Sequence, residues 1–148
     1  MKMSLDISVV IVSWNVSELL EKCLSSLFKH TRKISFEVFV VDNASFDASA
    51  DMVQKKFPQV HLIRNHINRG FATACNQALK QAKGRYELLL NPDTRILDES
   101  LARAVHFMDT HPDADIVGGK ILYPDGSLLP SVLWFPSFFS TLAQFLKL

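Results

Sequence analysis

Residues 86–96, Tyr-Glu-Leu-Leu-Leu-Asn-Pro-Asp-Thr-Arg-Ile, decide the fold. The run Leu88 to Leu90 has the apolar character of a buried strand, and it stops at Asn91-Pro92-Asp93. Proline has no backbone donor and a fixed φ, so it suits the end of a central strand and not its middle. A core strand therefore finishes by presenting an amide and a carboxylate side by side. Upstream, FATACNQALKQAK (71–83) places Phe71, Ala74, Cys75, Ala78, Leu79 and Ala82 on one helical face, and Gly84 is expected to close that helix as a C′ glycine. Downstream, DESLARAVHFMDTH (98–111) predicts another helix and ADIVGG (114–119) a fifth strand.

The same alternation runs back to the start of the chain. ISVVIVSWN (7–15) opens with a continuous β-branched run, as expected of a strand covered on both faces. In SELLEKCLSSLFKH (17–30), Leu19, Leu20, Cys23, Leu24, Leu27 and Phe28 recur at helical spacing, with Asn15 or Ser17 as cap. FEVFVVDNAS (36–45) is a second strand with a polar end, and DASADMVQKKF (47–57) a short helix capped by Ser45 or Asp47. VHLIRN (60–65) is the third strand, and KILYPDGSLL (120–129) a hairpin turning at Pro124-Asp125-Gly126. Strands alternating with helices through short connections make an α/β domain, a mostly parallel sheet with helices on both faces.

Composition narrows the function classes. The 148 residues suit one domain, and a net charge of +1 gives no reason to expect nucleic acid as partner. Cys23 and Cys75 both fall on apolar stripes, as reduced core cysteines do. His30, His61, His66, His106 and His111 show no paired metal-ligand spacing. The run Ile7 to Val12 is too short for a signal peptide, and no segment is long and apolar enough to span a bilayer.

In an open α/β sheet, ligands bind outside the carboxyl ends of the strands. Those ends read SWN, VDNAS, NHINRGF and NPDT, all polar, and they form one rim. The turn VSWNVS has no glycine, which excludes the dinucleotide fingerprint; there is no P-loop and no G-x-S-x-G elbow.

The chain resembles the family 2 glycosyltransferases, in particular rhamnosyltransferase-like members. The resemblance rests on SVVIVSWN, VVDNASFD, NRGFATACNQAL and LLLNPDT, in this order and at these strand ends, and runs from Ile7 to YPDGSLLPS. It implies a GT-A (Rossmann-like) nucleotide-diphospho-sugar transferase fold and inverting transfer of a sugar from a UDP- or dTDP-linked donor to an acceptor hydroxyl. By that resemblance Ser13, Trp14 and Asn15 surround the base or ribose, and Asp42 recognises it with help from Asn43 and Ser45. Asn68 fixes a turn, Arg69 and Gly70 approach the sugar or diphosphate, and Asn91 makes ribose or water contacts. Asp93 stands where the last aspartate of the family's D-x-D motif stands and is the implied ligand of Mg2+ or Mn2+. Asn91 departs from that motif's first aspartate.

The resemblance further implies a carboxylate general base beyond the hairpin, often in a Glu-Asp pair, and this chain contains no such pair. We therefore expect residues 1–130 to be the nucleotide-sugar-binding portion of a truncated GT-A domain. Residues 131–148 are expected to lead as an apolar helix into an acceptor and catalytic half, with no catalytic residue before Leu148. Phe138, Phe139, Leu142, Phe145 and Leu146 make a stripe suited to self-association. Implied partners are a nucleoside-diphosphate sugar and a saccharide or lipid-linked acceptor in cell-surface polysaccharide synthesis. The implied location is cytoplasmic, peripheral at the inner face of the membrane. A receiver or flavodoxin-like signalling module would need an acidic pair at the first strand's end, where Ser13-Trp14-Asn15 stands. A nucleotidyltransferase would need a glycine-rich basic loop there.

Overall fold

The computed structural model describes residues 5–130. Eight elements follow one another: β1 (Ile7–Ser13), α1 (Ser17–His30), β2 (Phe36–Asp42), α2 (Ser49–Lys56), β3 (His61–Arg64), α3 (Phe71–Leu79), β4 (Tyr86–Leu89) and α4 (Ser100–Thr110). The four strands are all parallel, in the order β3-β2-β1-β4. The chain adds strands outward from β1 to β3, then returns to place β4 on the other side of β1. That reversal is a topological switch point, where the loops leaving β1 and β4 diverge and open a crevice.

Strand alternation divides the core into two layers. Ile7, Val9 and Ile11 of β1, with Val38 and Val40 of β2, face Leu20, Cys23, Leu24 and Leu27 of α1, Met52 and Val53 of α2, and Leu101 and Val105 of α4. Val10, Phe39 and Val41 point the other way, onto Ala74 and Ala78 of α3. The two alanines let that helix lie close to the sheet. Helices thus cover both faces, as the alternation predicts, and Cys23 and Cys75 are buried and unpaired.

Several local expectations are corrected. The third helix ends at Leu79, five residues before Gly84, so Gly84 is no C′ glycine. It serves close approach instead: a Cβ at this position would lie 2.4 Å from the Ser8 backbone nitrogen. The buried Ser8 hydroxyl accepts the Lys83 and Gly84 N–H groups and donates to Glu37 Oε1, clamping the turn onto β1. Phe71 stands out of the core at 56% exposure, because α3 begins with it at the rim. Neither Asn15 nor Ser17 caps α1. The Ser17 N–H is taken by Asp47 Oδ2 at 3.0 Å, from the loop after β2. Asp47 Oδ1 also takes the Ser49 N–H at the head of α2, while Ser45 caps nothing.

Residues 114–119 form no strand. A strand is made by its partner, and among the described residues none pairs with the outer edge of β4. Gly118-Gly119 adds backbone freedom that strand formation would have to remove. The chain divides after Asp115 into two compact units. The second holds the expected hairpin: Leu122 and Leu128 form an antiparallel bridge, Gly126 turns with φ 85°, and the Asp125 carboxylate accepts the Ser127 N–H at 2.9 Å. The stripe from Phe138 to Leu146 lies outside the described residues.

Candidate functional site

The parallel register sets Ser13 directly beside Asp42, so the last residues of β1 and β2 present a hydroxyl and a carboxylate together. Both residues are buried. Ser13 Oγ and Asp42 Oδ1 have no hydrogen-bond partner among the described residues, while Asp42 Oδ2 accepts the Ser45 N–H at 3.2 Å. A buried polar atom left unpaired costs of the order of 1–3 kcal/mol, so two at adjacent strand ends mark a place where another group completes them. The loops around them are cross-tied. The Asn15 N–H donates to Ser45 Oγ at 3.0 Å, and Asn15 Oδ1 accepts the Phe46 N–H at 2.9 Å. Asn15 and Ala44 both adopt left-handed backbone, with φ 56° and 67°. Alanine has no side-chain bond to offset that conformation, and such strain collects where loops are held for a purpose. Trp14 projects from the same turn at 52% exposure.

Asn43, next in the chain, is buried, and its backbone N–H and both side-chain polar atoms are engaged. Its backbone N–H donates to the Ser13 carbonyl at 2.8 Å. Its Nδ2 donates to Asn68 Oδ1 at 2.7 Å, and its Oδ1 accepts from the Arg69 N–H at 3.0 Å and Asn65 Nδ2 at 3.1 Å. Asn68 Oδ1 also accepts the Gly70 N–H at 2.9 Å, fixing the turn as expected. Gly70, with φ 76°, occupies a conformation that side chains rarely adopt. The guanidinium of Arg69 has no partner among the described residues and is exposed at the rim. Asn43 and Asn68 thus build the loop that carries Arg69 and Gly70.

Across the switch point, β4 ends before the Asn91-Pro92-Asp93 turn. Thr94 closes that turn on the Asn91 carbonyl through its hydroxyl at 2.7 Å and its N–H at 3.2 Å. The Cys23 thiol reaches the same carbonyl from α1 at 3.7 Å. Burial, with the Asp93 charge nearby, pushes that thiol up to about 11, so it remains a neutral donor. Asp93 itself is exposed, with no hydrogen bond among the described residues. No group of three His, Cys, Asp or Glu side chains among those residues could cage a metal. A hard cation that takes most of its ligands from phosphate and water needs only one protein carboxylate, and Asp93 fits that requirement.

Asp47 works behind the rim. Burial opposes its ionisation, but the Ser49 hydroxyl and the Ser17 and Ser49 amides prevail and hold it below the usual carboxylate range. It pins the heads of α1 and α2 to each other. An open concavity of about 630 Å3 lies elsewhere, between the polar face of α1 and residues 95–97. None of the side chains lining it carries a buried polar atom lacking a partner, whereas the strand-end rim has two. The rim is the better candidate.

The sequence reading missed Asn65 and Gln77. They pair reciprocally, Asn65 Nδ2 to Gln77 Oε1 at 2.8 Å and Gln77 Nε2 to Asn65 Oδ1 at 3.0 Å. The available signal was an amide at a strand end and another inside a short helix, which becomes informative only once the two elements are placed together.

Known proteins resemble this chain. The model of the family Glycosyl transferase family 2 matches residues 8–147. The poly(ribitol-phosphate) beta-glucosyltransferase of Bacillus spizizenii is 35% identical over 133 residues, 86% of this chain and 21% of that protein. The crystal structure of Staphylococcus aureus TarS 1-349 in complex with UDP-GlcNAc aligns with TM-score 0.65 at 33% identity, over 72% of this chain and 32% of that one. A mannosyltransferase of Pyrobaculum calidifontis in complex with GDP-Man and Mn2+ aligns with TM-score 0.64 at 26% identity, over 72% of this chain and 33% of its own. The chain spans between 21% and 53% of the length of the first curated relatives that it matches.

Proposed function

The chain belongs to glycosyl transferase family 2, and from that premise we propose that its switch-point rim binds a UDP- or dTDP-linked sugar for transfer to an acceptor hydroxyl. The observation that carries this reading is the pair of unpartnered buried atoms, Ser13 Oγ and Asp42 Oδ1, on adjacent strand ends. A carboxylate oxygen that can only accept, beside a hydroxyl that can donate, complements a base imide or a ribose hydroxyl pair. Trp14 supplies an exposed aromatic face next to them, and Asn15 and Ser45 hold the two loops in place. Arg69 and Gly70 stand where the sugar and diphosphate follow, oriented by Asn43 and Asn68. Asn91 and Asp93 close the rim from the β4 side.

A Mg2+ or Mn2+ arriving with the diphosphate and held by Asp93 would supply Lewis-acid stabilisation of the leaving group. The family resemblance makes the transfer inverting, which requires a carboxylate base at the acceptor hydroxyl. The residues before Leu148 offer none: the Asp125 carboxylate is occupied by Ser127, and Asp115 lies at the end of the first unit. We assign residues 1–130 to donor binding and residues 131–148 to the connection with an acceptor half. The stripe of Phe138, Leu142 and Phe145 would support self-association. The names of the relatives favour a cell-wall or other surface polysaccharide as product, built on a saccharide or lipid-linked acceptor at the inner face of the membrane. No helix among the described residues is long and apolar enough to cross a membrane.

Calorimetric titration with UDP and with dTDP, with and without Mn2+, tests the site. Binding is expected to tighten with the metal, and Asp93→Ala should remove that dependence while leaving the fold intact, since Asp93 is exposed. Metal linkage that survives Asp93→Ala overturns the assignment.

A further inference from the structure

Gln77, Asn65, Asn43 and Asn68 form a continuous line of side-chain amides running from α3, past the ends of β3 and β2, into the loop that precedes α3. Their orientations are not free choices. The Arg69 and Gly70 N–H groups can only donate, so they face Asn43 Oδ1 and Asn68 Oδ1. Asn68 Oδ1 then requires Asn43 Nδ2, and Asn43 Oδ1 requires Asn65 Nδ2. The second hydrogen of Asn65 Nδ2 goes to Gln77 Oε1, which turns Gln77 Nε2 onto Asn65 Oδ1. Each amide orientation is thus determined by the next, from two backbone donors at the rim to a helix residue behind it.

We infer that Gln77 and Asn65 are positioning residues for the donor site: they lock Asn43, and through it the backbone at Arg69 and Gly70, into the arrangement that receives the diphosphate sugar. The inference rests on the proposed nucleotide-sugar reading for its ligand, but the relay itself is a property of the free chain. The rim partners set which way the Asn43 amide faces, and the Asn65 donor holds it there: without that bond Asn43 Oδ1 keeps only the Arg69 N–H, and the amide is freer to tilt away from it. Gln77 prevents this at one remove, by fixing Asn65 with two bonds to a regular helix.

The test uses Gln77→Leu, which removes the reciprocal pair, and Gln77→Glu, which keeps the shape but sets an oxygen against Asn65 Oδ1. Native-state hydrogen exchange on the unliganded chain should show the Arg69 and Gly70 amides exchanging several-fold faster in both variants, with the core of β1 and β2 unchanged. UDP binding should weaken about five-fold, the equivalent of one lost hydrogen bond. In an Arg69→Ala background the further loss on Gln77→Leu should shrink below about two-fold, because the two act in series. An undiminished loss there assigns Gln77 a merely structural role and overturns the inference. So does unchanged exchange at Arg69 and Gly70, whether or not nucleotide binds. A wild-type chain that binds no UDP refutes the nucleotide reading instead, and the exchange arm still decides the relay.

Discussion

Asp42 shows how much one residue can state about a site. Its place after Val40-Val41 marks it in the sequence as a carboxylate at a buried strand's end, and the structure gives it one satisfied and one unsatisfied oxygen. The satisfied oxygen holds Ser45 and the β2 loop, so the other is the one available to a ligand. Asp42→Asn should weaken nucleotide binding with or without divalent metal, by about 1–3 kcal/mol, the range for a hydrogen bond to a charged group. Calorimetry with UDP in the presence and absence of Mn2+ separates the outcomes. A loss confined to the metal-containing titration would move Asp42 into the metal's coordination and break the division of labour with Asp93. Ser13, Asp42 and Asp93 could be proposed from the sequence because a polar residue ending an apolar run needs no knowledge of the fold. Asn65 and Gln77 could not, since twelve residues and a helix separate two amides whose meaning lies in their contact. Gly84 was misread for a similar reason: its backbone contact is with Ser8, at the other end of the chain's reading.

The elements were legible wherever periodicity and burial agree. α1 runs over Ser17–His30 as its apolar spacing predicts, and β1 and β2 each end one residue past their β-branched runs, at Ser13 and Asp42. The fifth strand failed because a short apolar run specifies burial, and pairing depends on a neighbour that the run itself does not encode. What joins the elements at the opposite end of the sheet from the rim is a charge cluster. Arg85 bonds Asp6 at 2.9 Å and Asp109 at 2.6 Å, and the Tyr86 hydroxyl also donates to Asp109, tying the starts of β1 and β4 to the end of α4. The Ser35 amide, then Arg85, hold Asp6 below the usual carboxylate range; Arg85, then Tyr86, do the same for Asp109. A carboxylate depressed in the folded state contributes stability above its unfolded pKa, and that contribution disappears as pH falls through the folded value. The chain should therefore lose stability as pH drops below about 4, with the contribution complete at neutral pH. Asp109→Asn should lower the urea midpoint at pH 7 modestly, because the cluster is solvent-screened, and flatten the acid limb. A parallel acid limb in the variant would assign the pH dependence to other groups.

At the scale of the whole molecule, the distinction that matters is between holding a donor and transferring its sugar. On the proposed reading, holding requires the rim from Ser13 to Asp93, and every element that builds it lies in the first compact unit. Transfer also requires a site for the acceptor and a base beside its hydroxyl, and the chain spans no more than 53% of the first curated relatives' length. Of the carboxylates after α4, Asp125 is committed to the hairpin turn, and Asp113 and Asp115 lie where the first unit ends. The 148-residue chain should accordingly bind UDP or dTDP without turning over a UDP- or dTDP-linked sugar, whatever acceptor is offered. Sedimentation of the same preparation should report self-association, reduced when Phe138 and Phe145 are replaced by serine, since their apolar spacing otherwise seeks cover in a second copy. Release of free nucleoside diphosphate at a rate that depends on added acceptor is the measurement that decides. Were it seen with this chain alone, a carboxylate within residues 1–148 must act as base, and the separation of donor binding from chemistry would fall.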